Sequence, residues 1–265
     1  MKLTKKLKQL YRLLRDVNEY ENAQIQKMKY GFELRTYKNF DFSKFEMDEA
    51  NLILHHLKSS DLFIDIGANI GFYTCLACAN DKDVISFEPN HNNSRFFLDN
   101  IKRNHFQKRV SFFEMGLSNS NEVVRLYGGK TAASLLPNWS NADEEYYTDI
   151  YVNSIDNVLT TDFTTRRILV KIDVEGFEYN VLSGANSILN LNTPKPKFLV
   201  EITYSEHRGG DFNSKFLETF ELFWAKGYTC TEGLIDGRII TRNDVVSFLT
   251  HGSPLLSPNG NYFFY

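Results

Sequence analysis

Between residues 61 and 202 the chain alternates two kinds of apolar pattern. Short runs rich in branched and aromatic residues (LFID, DVISFE, RVSFFEM, RILVKIDV and KFLVEI) are separated by longer amphipathic segments such as NNSRFFLDNIKRN and FEYNVLSGANSILN. Short runs apolar throughout read as strands covered on both faces, and segments with helical periodicity read as the helices that cover them. The alternation therefore predicts an α/β domain with a largely parallel sheet and helices on both faces. The pattern loosens from Asn121 to Ile155, where the extended pieces EVVRLY and DIYVNSI flank a polar, aromatic loop, and this predicts an insertion near the site. The closing YFFY reads as a terminal strand pairing into the sheet.

The chain opens differently. Leu3, Leu7, Leu10, Leu14 and Val17 fall at helical spacing among Lys2, Lys5, Lys6, Lys8, Arg12 and Arg15. This predicts a basic amphipathic helix over residues 1–30, a helical lead-in over 31–60 and the main domain over 61–265. Docking of that helix on its own domain or on a second subunit is the favoured reading, and a peripheral membrane or polyanion contact is the alternative.

Composition changes this picture little. The 265 residues, 42% of them hydrophobic, suffice for one large core or a core with an appendage. A net charge of −3, from 30 basic and 33 acidic residues, gives no global attraction for nucleic acid. Three cysteines are too few for a disulfide framework, and with no secretory signal or membrane-spanning run at the start, a cytoplasmic location is expected. Cys75 and Cys78 have redox-motif spacing, but their place in a helix of small residues favours packing.

Ligands of open parallel sheets bind outside the carboxyl ends of the strands, which here carry Asp65, Glu88, Asp173 and Glu201. The turn after the first of these strands, Gly67-Ala68-Asn69-Ile70-Gly71, lacks the middle glycine that lets a backbone approach a pyrophosphate. Asp65 just before it would repel a phosphate and attract an ammonium or sulfonium group. S-adenosylmethionine carries both cations, and Glu88, 23 residues beyond Asp65, is placed to accept its two ribose hydroxyls. A nicotinamide-dependent oxidoreductase is disfavoured on the same grounds.

These residues resemble the FkbM-type S-adenosylmethionine-dependent methyltransferases, from about Asp61 to about Ile202. The resemblance is carried in order by DIGANIGFYT, FEPNHNNSRFFLDNIKRN, SFFEMGLSNSNEVVRLY, VNSIDNVL and LVKIDVEGFEYNVLSGANSIL, followed by FLVEI. It implies the class I methyltransferase sheet, Rossmann-like, of about seven mostly parallel strands with one antiparallel edge strand. It also implies methyl transfer to a hydroxyl of a sugar, a glycan or a polyketide-like natural product. Carried over by position, it places Asp65, Gly67, Asn69, Gly71, Phe72 and Tyr73 around the methionine part of the cofactor. Glu88, Pro89 and Asn90 fall at the ribose, Gly116 and Leu117 at the adenine, and Ser134 in a loop near the cofactor.

Methyl transfer from a sulfonium asks mainly for positioning. Because a sugar hydroxyl is a weak nucleophile, a base or electrostatic stabiliser is also expected. Strand alternation puts Lys171, Asp173 and Glu175 on one side, with Asp173 and Glu175 at the carboxyl end as the pair expected nearest the transferred methyl. Glu201 and His207 are further candidates facing the acceptor, His207 because a neutral imidazole takes a proton near physiological pH. Which of them is the base stays open. Asp173, Glu175 and Glu201 raise the possibility of a magnesium ion, which the family resemblance does not require, so no metal ligands are assigned. Trp139, Tyr146 and Tyr147 are candidates for a surface that stacks on a sugar ring. A non-catalytic cofactor-binding scaffold is the alternative from another class, and the intact acids at all four strand ends argue against it.

Overall fold

The computed structural model describes residues 14–38, 40–42, 45–129, 133–137, 139, 145–204, 212–252, 256–257 and 259–265. It opens on a helix, α1, over residues 14–21, followed by an antiparallel hairpin of β1 (Gln24–Lys27) and β2 (Glu33–Thr36) and by helix α2 (Met47–Leu57). The helix expected to run to residue 30 and the helical lead-in from 31 are therefore interrupted by the hairpin, and the first thirteen positions lie outside the described residues. The physical reason is tertiary. The chain reverses near Gly31, at φ 90°, and Leu34 and Thr36 alternate inward with the period of a strand. The hairpin is then held by side-chain amides, with Asn104 accepting from Glu33 N at 2.8 Å and donating to Glu33 O at 2.7 Å. Asn100 makes the same pair of bonds to the backbone of Arg35.

The predicted central strands all form: β3 (Leu62–Ile66), β4 (Asp83–Phe87), β5 (Val110–Phe113), β9 (Ile168–Ile172) and β10 (Lys197–Glu201). They lie parallel in the order β5-β4-β3-β9-β10. The terminal strand β13 (Asn261–Phe264) inserts antiparallel beside β10, followed by β11 (Cys230–Glu232) and β12 (Ile239–Ile240). The sheet thus has eight strands among the described residues where about seven are expected, the extra one being the two-residue edge β12. This is the expected α/β architecture, a mostly parallel sheet with helices on both faces.

Alternation along the strands divides the core in two. Ile64, Val170, Val200 and Phe264 face a layer formed with α6 (Glu178–Ser183), α7 (Asn186–Leu189), α8 (Phe216–Trp224) and α9 (Arg242–His251). Phe63, Leu169, Leu199 and Phe263 face the layer of α2, α3 (Phe72–Ala79) and α4 (His91–Arg103). Each large side chain so buried contributes about 1.5–3 kcal/mol. Cys75 and Cys78 are buried in this second layer. By the same alternation Asp65 and Lys171, which are register partners, turn to the α3 side. Two charged positions beside the buried Ser86, in a face that is mostly apolar, mark where the sheet stops serving only stability.

Among the described residues a second sheet of three strands is ordered β6 (Gly116–Leu117), β8 (Tyr147–Asn153) and β7 (Glu122–Tyr127), so the segment expected as an insertion from Asn121 to Ile155 pairs with a strand that precedes it, and α5 (Ile155–Val158) leads back to β9.

Candidate active site at the ends of the third and ninth strands

The turn leaving β3 is shaped by three residues at positive φ, Gly67 (83°), Asn69 (51°) and Gly71 (89°). Gly67 is demanded twice, because a Cβ there would also run into the carbonyl oxygen of Asp173. The turn hangs on the neighbouring strand, with the N–H groups of Gly67 and Ala68 donating to Phe87 O at 3.0 and 2.9 Å. Glu88 completes the brace, accepting from Asn69 N at 2.8 Å on one oxygen and from Asn90 N at 2.8 Å and Asn93 Nδ2 at 3.2 Å on the other. A carboxylate has about four acceptor positions, so Glu88 keeps roughly one, on the oxygen facing Asn69, for a ligand hydroxyl rather than the expected two. Burial pushes Glu88 up to about 7 despite those donors.

Asp65 lies beneath the turn. It is 1% exposed, accepts from Thr74 Oγ1 at 2.6 Å, and its other oxygen has no hydrogen-bond partner among the described residues. Burial raises it to about 6, partly countered by Lys171. Lys171 Nζ donates to Asp173 at 2.7 Å and lies 4.7 Å from the centre of the Tyr73 ring. Burial alone would lower Lys171, but Asp173, Glu46 and Asp65 together hold it above its ordinary value.

The turn leaving β9 is Val174-Glu175-Gly176. Glu175 has φ 55° and Gly176 φ 93°, so the alternation that would align Glu175 with Lys171 and Asp173 ends before it is reached. Glu178 accepts from Val174 N at 3.3 Å and Gly176 N at 3.0 Å, and its burial raises it to about 7. The insertion braces the other side. Ser134 Oγ donates to Glu175 O and Trp139 Nε1 to the Glu175 carboxylate, both at 2.6 Å. The indole packs so closely on Gly176 that any Cβ there would collide with it. Trp139 is 1% exposed, so it is a structural brace and not an open stacking surface. Tyr146 accepts from Arg15 of α1, and Tyr147 lies under the Arg125 guanidinium.

Two cavities flank these turns. The larger runs from Gly67, Asn69, Asp173 and Glu175 past Glu88 and Pro89 to Met115, Gly116 and Leu117. The smaller lies behind the Gly67–Ile70 turn and is lined by Phe42, Phe45, Glu46, Phe72, Tyr73 and Lys171. Gly67, Asn69 and Asp173 line both. Asn69 Oδ1, at that junction, is a buried acceptor without a partner among the described residues.

The expected residues thus divide. Gly67, Asn69, Glu88, Pro89, Gly116, Leu117, Asp173 and Glu175 line the larger cavity, and Phe72 and Tyr73 the smaller. Asp65, Gly71 and Asn90 support from behind: Gly71 packs on Phe97, and Asn90 caps α4 by accepting from Asn92 N at 3.0 Å. Glu201, at the end of β10, is driven well above the ordinary carboxylate range by burial and by Asp173. His207 lies outside the described residues. Among those residues no three His, Cys, Asp or Glu side chains gather to hold a metal ion, and no helix is long and apolar enough to cross a membrane. Sequence reasoning missed Glu46 and Glu178. Glu178 stands inside the DVEGFE motif and could have been found there, whereas nothing local marks Glu46.

The Methyltransferase FkbM domain model matches residues 65–230. The chain is 28% identical over 144 residues to the hexuronic acid methyltransferase AglP of Haloferax volcanii, across 54% of this chain and 58% of that protein. It therefore spans little more than half the length of this curated relative. Among solved structures, a methyltransferase FkbM from Methylobacillus flagellatus KT gives a TM-score of 0.46 at 15% identity, covering 100% of this chain and 56% of the other. An O-methyltransferase from Bacillus cereus in complex with SAH gives 0.46 at 12% identity, covering 100% and 90%.

Proposed function

Because the chain belongs to the FkbM methyltransferase domain family, we propose that it is an S-adenosylmethionine-dependent O-methyltransferase acting on a hydroxyl of a sugar or glycan. The observation that carries this reading is the cavity bounded by Gly67 and Asp173 at one end and by Gly116 and Leu117 at the other, with Glu88 between them. The residues fit the cofactor. The turn without a side chain at Gly67 makes a cradle, and the unpartnered acceptor on Asn69 and the Asp65 charge beneath suit an ammonium and a sulfonium. Glu88 would hold a ribose hydroxyl, and Met115, Gly116 and Leu117 would flank the adenine. When bound, S-adenosylmethionine supplies an already activated methyl carbon.

What remains for the protein is orientation, charge and a dry site. The Lys171–Asp173 pair fixes the carboxylate at the junction of the two cavities, and the Trp139 and Ser134 bonds fix Glu175 beside it. A saccharide acceptor is supported by the printed activity of the relative, a hexuronic acid methyltransferase. The same chemistry serves a hydroxyl on another natural product.

Calorimetric titration with S-adenosylmethionine and S-adenosylhomocysteine is the test. Micromolar binding that is weakened in Glu88→Gln supports the assignment. A folded protein that binds neither compound sinks it.

A further inference from the structure

The smaller cavity is lined in part by Phe72 and Tyr73, which the family resemblance places near the methionine part of the cofactor, but its chemistry differs from that of the cleft past Glu88. Three aromatic rings, Phe42, Phe45 and Phe72, pack against one another on one side, with ring centroids 4.7 to 6.1 Å apart. Glu46, Tyr73, Lys171 and Asp173 make up the polar side. An apolar wall facing a few convergent polar groups is the character of a small-molecule subsite. The cavity shares Gly67, Asn69 and Asp173 with the cofactor cleft, so the two lie on either side of the same residues.

Glu46 is the unusual member. It is a non-glycine residue in left-handed backbone, φ 38° and ψ 54°, at the N-cap of α2, yet its side chain makes no cap bond to that helix. Its carboxylate accepts instead from the Tyr73 hydroxyl, on one oxygen. The strained conformation thus directs the acid away from its own helix and into the cavity wall. The charged and titratable groups facing it are Tyr73 of α3, Lys171 and Asp173 at the end of β9, Glu49 of α2, and Glu201 of β10, which it perturbs in turn.

We propose that this cavity is the acceptor subsite and that Glu46 accepts the proton of the acceptor hydroxyl. The inference rests on the methyltransferase reading and extends it to a residue outside the matched domain. In the step, the acceptor O–H bond breaks and its proton passes to a carboxylate oxygen of Glu46. The oxygen's electron pair forms the new bond to the methyl carbon, and the carbon–sulfur bond breaks with its electrons left on the neutral thioether. Burial raises Glu46 above the ordinary carboxylate range, with Lys171 and the Tyr73 hydroxyl opposing and Asp173 and Glu49 adding to the rise. A base so raised is better matched to an alcohol proton. A carboxylate acceptor would arrive already deprotonated and need no such base.

The experiment uses full-length protein loaded with S-adenosylhomocysteine, with methyl β-D-glucopyranoside and its uronate counterpart as probes. Failure of the loading itself would count against the cofactor reading, and every later result addresses the subsite. The neutral glycoside is expected to bind, at least tenfold more tightly than the uronate, and to shift the Glu46 resonance in ¹³C carboxylate spectra assigned by its loss in Glu46→Gln. That resonance should titrate above the range of an exposed glutamate, about 4.3, and move further upward in Tyr73→Phe, which removes a donor. With a turned-over acceptor, Glu46→Gln should lower kcat/KM at least about hundredfold, with cofactor affinity unchanged and the acidic limb of the rate profile lost. Binding of neither probe, preference for the uronate, a Glu46 resonance indifferent to the glycoside, or a retained acidic limb would each overturn the proposal.

Discussion

The turn leaving β3 is braced by the strand beside it, whereas the turn leaving β9 is braced by its own helix and by a distant insertion. Each turn is bent through positive φ and each has a buried glutamate accepting from its backbone, from one N–H of the first turn and from two of the second. Glu88 serves the first, from the end of β4; Glu178 serves the second, from the first residue of α6. They differ in what else they carry. The first turn has polar acceptors left over, on Asn69 and, below it, on Asp65. In the second, both the carbonyl and the carboxylate of Glu175 are already engaged by Ser134 and Trp139. A turn with spare acceptors is suited to receiving a ligand, and one held from both sides is suited to presenting a fixed group to it.

The most severe way to break the comparison is Gly67→Ala, because the added Cβ enters the Asp173 carbonyl at φ 83° and forces the two turns apart. A loss of about 4 kcal/mol in denaturant unfolding, with cofactor binding abolished, is expected. Near-normal stability would mean that the turns do not touch as described.

Replacing the two glutamates separates ligand binding from bracing. Glu88→Gln should weaken cofactor affinity about tenfold to hundredfold in calorimetry, whereas Glu178→Gln should leave affinity within a few-fold and lower turnover. Equal losses of affinity would erase the distinction between the turns.

The same pair sets a pH dependence. Burial raises Glu88 and Glu178 to about 7, well above the unfolded value. In the interval between, the native state binds more protons than the unfolded one, so their contribution is complete below about pH 4.3 and lost as pH rises through about 7. Unfolding at pH 5 and pH 7.5 should show that Glu178→Gln flattens this decline by about 1–3 kcal/mol. A steeper decline in the variant would reverse the assignment.

The mildest change is Trp139→Phe, which keeps much of the packing on Gly176 and removes the indole N–H. A cost of about 1–3 kcal/mol in thermal or denaturant unfolding should accompany reduced turnover, with cofactor affinity little altered. If affinity fell instead, the insertion would belong to the cofactor site.

How far the site could be read in advance follows the same division. The first turn is legible because its requirements are local: a strand-end acid, glycines where the backbone must bend, and a second acid one strand later. Asp65 was legible as a charge but not as a buried one, since only packing of α3 against the sheet places Thr74 over it. Periodicity extends the strand through Glu175 because it does not register a positive φ. An aromatic residue in a polar loop, as at Trp139, gives no sign of the glycine it covers.

By itself the sequence determined the alternation of strands and helices, the largely parallel sheet implied by it and the acids at the strand ends, because periodicity and strand chirality act locally and repeat along the chain. The tertiary structure alone decided that residues 24–36 form a hairpin held by Asn100 and Asn104, that Trp139 and Ser134 fix Glu175, and that Glu46 joins Tyr73 beside Lys171. Each of these joins groups far apart in the chain, and such a contact is favourable only once the core has already brought both partners together and removed them from water.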